Sequence, residues 1–323
     1  MKVLFITSNR IGDTVLTTGL LSYLLDRYPA ATFTIACGPL GAPLFSEIPQ
    51  VEKIIVVNKR VASVHWIELW KEVSKSIWEL VVDLRSSVIA YCLLTRRRMV
   101  AKKKNDKVHR LDALASLAGV AELPLPALRI SNRHKENAEN VLPYKQQFLA
   151  IGPTANWRGK QWSGVRFAKV ACRLTRSDGI LPGAKIVVLG SSAEREMAKP
   201  VISNIPDSQI INLIGKVDLL TVYAILERSS MYIGNDSGLM HIAAASGTPT
   251  LGLFGPSKEA NYAPRGKFTA VVRTKLSYEE LTGEKAYNHK TTESLMNSLS
   301  VEMVETAAQL LWKRSSDHRP LRN

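Results

Sequence analysis

Cysteine is scarce in this sequence: three in 323 residues, at 37, 92 and 172, with no Cys-x-x-Cys spacing. That excludes a disulfide-stapled framework and a cysteine-built zinc site, and it fits a reducing, cytoplasmic compartment. Long apolar runs are also missing, since no stretch reaches the roughly 18 residues that a membrane-crossing helix needs. The opening MKVLFITSNRIGD meets Asn, Arg and Asp at once, so it reads as a first β-strand rather than a cleaved signal. Acidic residues are few beside basic ones, 28 against 43, which leaves a formal net charge of +15. Such a balance implies an anionic partner: nucleic acid, a phosphorylated small molecule or an acidic membrane surface. Two motifs are absent as well. The loop after the first strand has Gly12 but no Gly-x-Gly-x-x-Gly, which disfavours a nicotinamide enzyme. No Asp-x-Asp pair lies near the candidate ligand loops, so no metal or other cofactor is expected.

What is present is alternation. KVLFIT, TFTIACG, KIIVVN and ELVVDLR read as short buried strands, with helices at Thr14–Tyr28 and HWIELWKEVSK between them. After a proline-bearing stretch at Pro124–Ser131 and a polar helix, the pattern restarts with QFLAIGP and runs to TPTLGLFG. Strands joined by helices in this manner build parallel, doubly wound sheets. The expected organisation is an α/β chain of two Rossmann-like domains, residues 1–146 and 147–300. The amphipathic segment 301–323 is expected to pack back toward the first domain. Ligands of such sheets bind beyond the carboxyl ends of the strands, so the residues just after strands are the candidates.

Several loops qualify. Asp13 stands where the first helix begins; it is either an N-cap or a general base. The loop IGPTANWRGKQW offers Thr154, Arg158 and Lys160, read either as a solvated loop or as a phosphate clamp. Glu194, after VVLGSS, either complements a helix dipole or accepts hydrogen bonds from a ribose. Asp236, Ser237 and Gly238 open a helix of small residues whose first N–H groups lack partners inside the helix, a ready phosphate site. His241, one turn further on, reads as a packed core histidine. The block TRRRMVAKKKNDKVHR contains Arg96, Arg97, Arg98, Lys102, Lys103 and Lys104. It is either a solvated surface or an attractor for an acidic acceptor or lipid headgroups. It has no interleaved aromatic residue, so no nucleic-acid partner is expected.

GNDSGLMHIAAASGTPTLGLFGPS, together with IGDTVLTTGLLSYL near the start, resembles glycosyltransferase family 9, the bacterial lipopolysaccharide heptosyltransferases. The resemblance implies the GT-B architecture, two Rossmann-like domains facing across a cleft. It also implies inverting transfer of heptose from an ADP-linked donor to Kdo or heptose of the lipid A core, at the cytoplasmic face of the inner membrane. It carries the base onto Asp13, donor phosphate contacts onto Lys160 and Thr154, and the acidic residue near the ribose onto Glu194. The pyrophosphate-binding helix start falls on Asp236, Ser237 and Gly238. The family's cysteines before the final helix are absent here, and the basic block is denser. Alternative readings are another GT-B enzyme using a different nucleotide-sugar, as transferase or epimerase, or a silent nucleotide-sugar or anionic-lipid binding protein.

Overall fold

The computed structural model describes residues 1–60, 64–102, 106–283, 288 and 293–317. The chain divides into two units, Met1–Ser131 and Asn132–Asn323. The first contains β1 (Lys2–Ile6), α1 (Ile11–Arg27), β2 (Thr32–Cys37), β3 (Val51–Val56), α2 (Val64–Val73), β4 (Trp78–Asp83), β5 (Thr95–Val100) and α3 (Arg110–Ala118). Its five strands lie in the order β3-β2-β1-β4-β5, all parallel. β1 is buried on both faces, as a central parallel strand must be. Val3 and Phe5 meet α1 and α3 through Leu20, Leu24 and Leu114. Leu4 and Ile6 meet α2 and a turn after β4 through Leu69, Val73, Ile89 and Leu93.

The second unit contains α4 (Asn132–Val141), β6 (Phe148–Gly152), α5 (Gly164–Thr175), β7 (Lys185–Val188), α6 (Arg195–Ile202), β8 (Ile210–Asn212) and α7 (Leu219–Arg228). It continues with β9 (Met231–Asn235), α8 (Gly238–Ala245), β10 (Thr250–Phe254), α9 (Glu259–Tyr262), β11 (Thr269–Arg273), α10 (Tyr278–Thr282) and α11 (Val301–Ser316). Its sheet runs β11-β10-β9-β6-β7-β8, again all parallel. Both sheets reverse strand order beside their first strand, between β1 and β4 and between β6 and β9. A doubly wound sheet opens its ligand crevice at that point.

The unit boundary falls fifteen residues before the expected 146/147 division. α4 is the reason, because it packs on α7: Arg228 Nη1 donates to Ala138 O at 3.2 Å, and His134 Nε2 lies 3.8 Å from Asp218 Oδ1. The terminal segment is likewise part of the second unit. Val301, Val304, Ala308 and Leu311 form a stripe at helical spacing that is buried with α5 and the sheet, so the apolar face expected to turn toward the first domain is occupied here. Five elements escaped the sequence pattern: β5, whose TRRRMV hides a strand behind charge; α3; the short helices α9 and α10; and the edge strand β11. Among the described residues, no helix is long and apolar enough to cross a membrane.

Candidate active site

In the second unit, the loops after β10, β9, β6 and β7 stand side by side at the carboxyl end of the sheet, and the sequence candidates Thr154, Arg158, Lys160, Glu194, Asp236 and Ser237 lie in them. Asn235, the last residue of β9, ties two of these loops together. Its Oδ1 accepts from Trp162 N at 3.1 Å, and its Nδ2 donates to Pro153 O at 2.8 Å, fully buried. The β6 loop is held further by Trp162, whose Nε1 donates to Leu299 O at 2.9 Å and whose ring meets Phe167 edge-on. Lys160 closes a 3-10 turn at Arg158–Lys160 and forms an ion pair with Asp236, the two side chains 20% and 7% exposed. Arg158 turns away instead, to Glu293 Oε2 at 2.7 Å.

α8 begins directly behind Asp236. Its N-cap, Ser237, is extended, and the serine side chain makes no capping hydrogen bond. The first amides of the helix therefore remain available to an anion. Two further hydroxyls at the same end of the sheet are buried and lack a partner among the described residues: Thr154 Oγ1 after β6 and Ser257 Oγ after β10. An unsatisfied buried hydroxyl is costly and rare in folded proteins, so two beside an uncapped helix start point to a polar ligand. Backbone approach here is close. A Cβ on Gly152 or Gly234, neighbours across β6 and β9, would overlap the Tyr232 hydroxyl. Burial pushes the Tyr232 phenol well above its ordinary range, with Ser237 beside it opposing that shift.

Glu194 takes the role that helix physics assigns it. Its Oε2 accepts from Ser191 N and Ser191 Oγ, both at 2.7 Å, in a capping box. It still faces the site, since a side chain on Gly190 would lie 3.4 Å from Thr154 Oγ1 and 3.5 Å from Glu194 Oε2. His241 is buried inside α8, as expected. The sequence reading passed over Asn235 and Ser257. The signal was there, in an Asn at a parallel strand's carboxyl end and a Ser closing Gly-Pro-Ser.

In the first unit, Asp13 is not the N-cap. α1 begins at Ile11 with Arg10 as its extended cap, which places Asp13 in the first helical turn, half-buried. The helix starts three residues earlier than expected, and Thr14 Oγ1 donates back to Arg10 O at 2.9 Å and to Ser8 O at 3.2 Å. Across the strand-order reversal, Asp83 organises the loop after β4. Its carboxylate accepts from Arg85 N at 2.8 Å, Ser87 N at 2.7 Å and Ser87 Oγ at 2.6 Å. Arg85 is thereby aimed at the Asp13 loop, with Nη1 donating to Asn9 Oδ1 at 2.8 Å and the guanidinium 5.1 Å from the centre of the Trp66 ring.

The basic block divides between a strand and the residues that follow it. Arg96, Arg97 and Arg98 lie on the edge strand β5 rather than in a solvated loop. Charge on an edge strand prevents pairing with other chains. Arg98 is engaged locally, donating to Ala90 O and Leu93 O at 2.6 and 2.8 Å. Lys102 is exposed just beyond the strand, and Lys103 and Lys104 lie outside the described residues.

Comparison with known proteins decides the family. The model for glycosyltransferase family 9 (heptosyltransferase) matches residues 77–290, more than half of the chain. The chain belongs to glycosyltransferase family 9. This glycosyltransferase is 27% identical over 281 residues to lipooligosaccharide heptosyltransferase 2 of Campylobacter jejuni, covering 82% of this chain and 84% of that protein. Among solved structures, a family 9 glycosyl transferase from Veillonella parvula superposes with a TM-score of 0.78 at 22% identity, over 97% of each chain. The E. coli ADP-heptose lps heptosyltransferase II gives 0.76 at 21%, over 98% of this chain and 100% of that one. At these identities the structural likeness speaks to the fold: two Rossmann-like, all-parallel units of the GT-B class.

Proposed function

We propose that this glycosyltransferase moves a heptose from ADP-heptose to a Kdo or heptose hydroxyl of the lipopolysaccharide inner core, with inversion at the anomeric carbon. The observation that carries the reading is the uncapped start of α8, flanked by the Lys160–Asp236 pair and the unpartnered hydroxyls of Thr154 and Ser257. A diphosphate supplies the acceptor oxygens that those donors lack. The related enzymes are heptosyltransferases, and the E. coli one is described as acting with ADP-heptose on lipopolysaccharide.

In this scheme the acceptor hydroxyl attacks the anomeric carbon while Asp13 takes its proton. A positioned base of this kind contributes about 10²–10⁴-fold. The bond from the anomeric carbon to the β-phosphate oxygen breaks, and the departing ADP gains charge. The α8 amides and Lys160 stabilise that charge without rearranging, so the reaction is assigned as metal-independent. Glu194, although its Oε2 caps its own turn, is assigned the ribose hydroxyls through its other carboxylate oxygen. The base and the phosphate site belong to different units, so transfer needs both. With a lipid-anchored acceptor, this reading assigns the enzyme to the cytoplasmic face of the inner membrane.

A thermal-shift panel of ADP, UDP, GDP and CMP tests the donor: ADP should stabilise the protein most, and a larger shift with another nucleotide would overturn the donor assignment. Asp13→Asn tests the base. It should abolish transfer to a Kdo-bearing lipid A acceptor while leaving ADP affinity intact, and unchanged turnover would remove Asp13 from that role.

A further inference from the structure

One face of the first unit carries more exposed apolar surface than its fold requires. The segment Val88–Leu94 (VIAYCLL) is apolar on both sides. Its inner residues Ile89, Ala90 and Leu93 are buried in the core beneath α2. Its outer residues Val88, Tyr91 and Leu94 are 74%, 67% and 70% exposed. The patch extends onto α2, where Ile67 and Trp70 are exposed and Trp70 Nε1 donates to Cys92 O at 3.1 Å. It continues to Ile77, because Trp78 N donates to Leu94 O at 3.0 Å. Single exposed apolar residues are ordinary, but a contiguous set marks a surface that leaves water in use.

Two further observations identify what covers it. Most backbone carbonyls of the segment are paired. Ile89 O accepts from Cys92 N, Ala90 O and Leu93 O from Arg98, Cys92 O from Trp70, and Leu94 O from Trp78. Each paired carbonyl lowers the cost of moving the loop out of water. The charge around the patch is also net positive. Lys71, Lys75 and Arg96 are exposed at its margin. The acids on neighbouring positions are engaged: Glu68 with Arg60 at 2.7 Å, Glu72 with Lys53 at 2.8 Å, and Glu79 with the Lys2 amide at 2.6 Å. Apolar side chains ringed by cations are the signature of shallow insertion into an anionic interface.

We propose that the outer face of α2 and the segment Val88–Leu94 dock this enzyme onto an anionic phospholipid bilayer. The docking rests on the proposed function for its purpose, access to a lipid-anchored acceptor, but its test needs neither donor nor acceptor. The full chain is sedimented with vesicles of phosphatidylethanolamine and phosphatidylglycerol, and with vesicles of phosphatidylcholine alone. The protein should partition onto the anionic vesicles and much less onto the neutral ones. Val88→Ser/Tyr91→Ser/Leu94→Ser should lower the anionic partition by more than about tenfold. Lys71→Gln/Lys75→Gln/Arg96→Gln should lower it about fivefold per charge at low salt, and by little at high salt. Chemical denaturation of each variant reports folding independently, and Tyr91→Ser alone keeps the test open should the triple variant fail to fold. Exposed Val165 and Leu310, changed to serine in the second unit, serve as controls that leave partitioning unchanged. Wild-type protein that stays in the supernatant with both vesicles overturns the proposal. So does an apolar variant that partitions as wild type, or a wild-type self-association that the same variant abolishes without any vesicle binding. Vesicle binding by a protein that fails to bind ADP would overturn the donor assignment and leave the docking intact.

Discussion

The Lys160–Asp236 pair separates two roles that one mutation would confuse. Asp236 is 7% exposed and Lys160 20%, so each charge relies on the other more than on water. Breaking a buried pair from one side costs about 3–5 kcal/mol. Two features reduce that here: the lysine is one-fifth exposed, and the Asp236 carboxylate precedes the α8 amides, whose field offsets up to ~2 kcal/mol for an anion. Lys160→Met should therefore destabilise the second unit by about 2 kcal/mol, read as a lowered denaturation midpoint. Asp236→Asn in the same chain removes the stranded charge, and the double variant should recover most of that loss, because replacing both partners of a buried pair is often close to neutral. Ligand affinity should follow a different course. A charge-assisted hydrogen bond contributes about 1.5–3 kcal/mol, so ADP binding should weaken about ten- to a hundredfold in Lys160→Met and stay weak in the double variant. Denaturation and calorimetry on the four proteins complete the cycle. If stability and affinity recover together, Lys160 acts on the nucleotide only through the fold. If Lys160→Met binds ADP as wild type does, the clamp assignment is refuted.

Other perturbations probe the frame around the site. Asn235→Ala strands the Trp162 amide and the Pro153 carbonyl in the core and should cost about 2–4 kcal/mol by chemical denaturation; a loss under 1 kcal/mol would contradict the staple. Asp218 caps α7, and Asp218→Ala should cost about 1 kcal/mol. Burial pushes the Asp218 carboxyl up, but the Thr221 amide and hydroxyl, His134 and the Leu220 amide together hold it below its ordinary value. With a lowered folded-state pKa, the contribution of Asp218 is complete above the unfolded value near ~3.9 and is lost as pH falls through the folded one. The wild-type and Asp218→Ala midpoints should thus converge only in that acidic range, and convergence at neutral pH would refute the cap. Burial pushes the Cys37 thiol up to about 12, whereas Cys92 is exposed. Alkylation of the native protein at pH 8 should label Cys92 rapidly and Cys37 only after unfolding, as peptide mass analysis would show.

How much of this was legible in sequence depended on whether one local force dominated. The doubly wound class followed from short β-branched runs separated by amphipathic helices, and β6 and β10 lie where QFLAIGP and TPTLGLFG suggested. The α8 start was readable because small residues after a strand leave few roles other than close approach. β5 was not readable. Its three consecutive arginines mask a strand that is held at the sheet edge by ladder bonds to β4 rather than by its own apolar period. The domain boundary was misplaced because a polar helix such as α4 shows its partner only through tertiary packing on α7. Asp13 shifted from cap to first turn because α1 begins three residues early, behind Arg10, which makes no side-chain cap bond and so leaves no capping signal in the sequence. Asn235 was overlooked because a buried amide acts through two long-range partners, at Trp162 and Pro153, that sequence spacing does not reveal.

The Tyr232 ring has a consequence for how this sequence can vary. It fills the space beyond two glycines at once, so neither Gly152 nor Gly234 can acquire a side chain while the ring is present. Change at these positions must follow an order. A smaller residue has to appear at 232 before anything larger than glycine can appear at 152 or 234, and a library that varies all three should be populated along that path and depleted along the reverse one. A single aromatic side chain thereby links the histories of two strands that lie far apart in the chain.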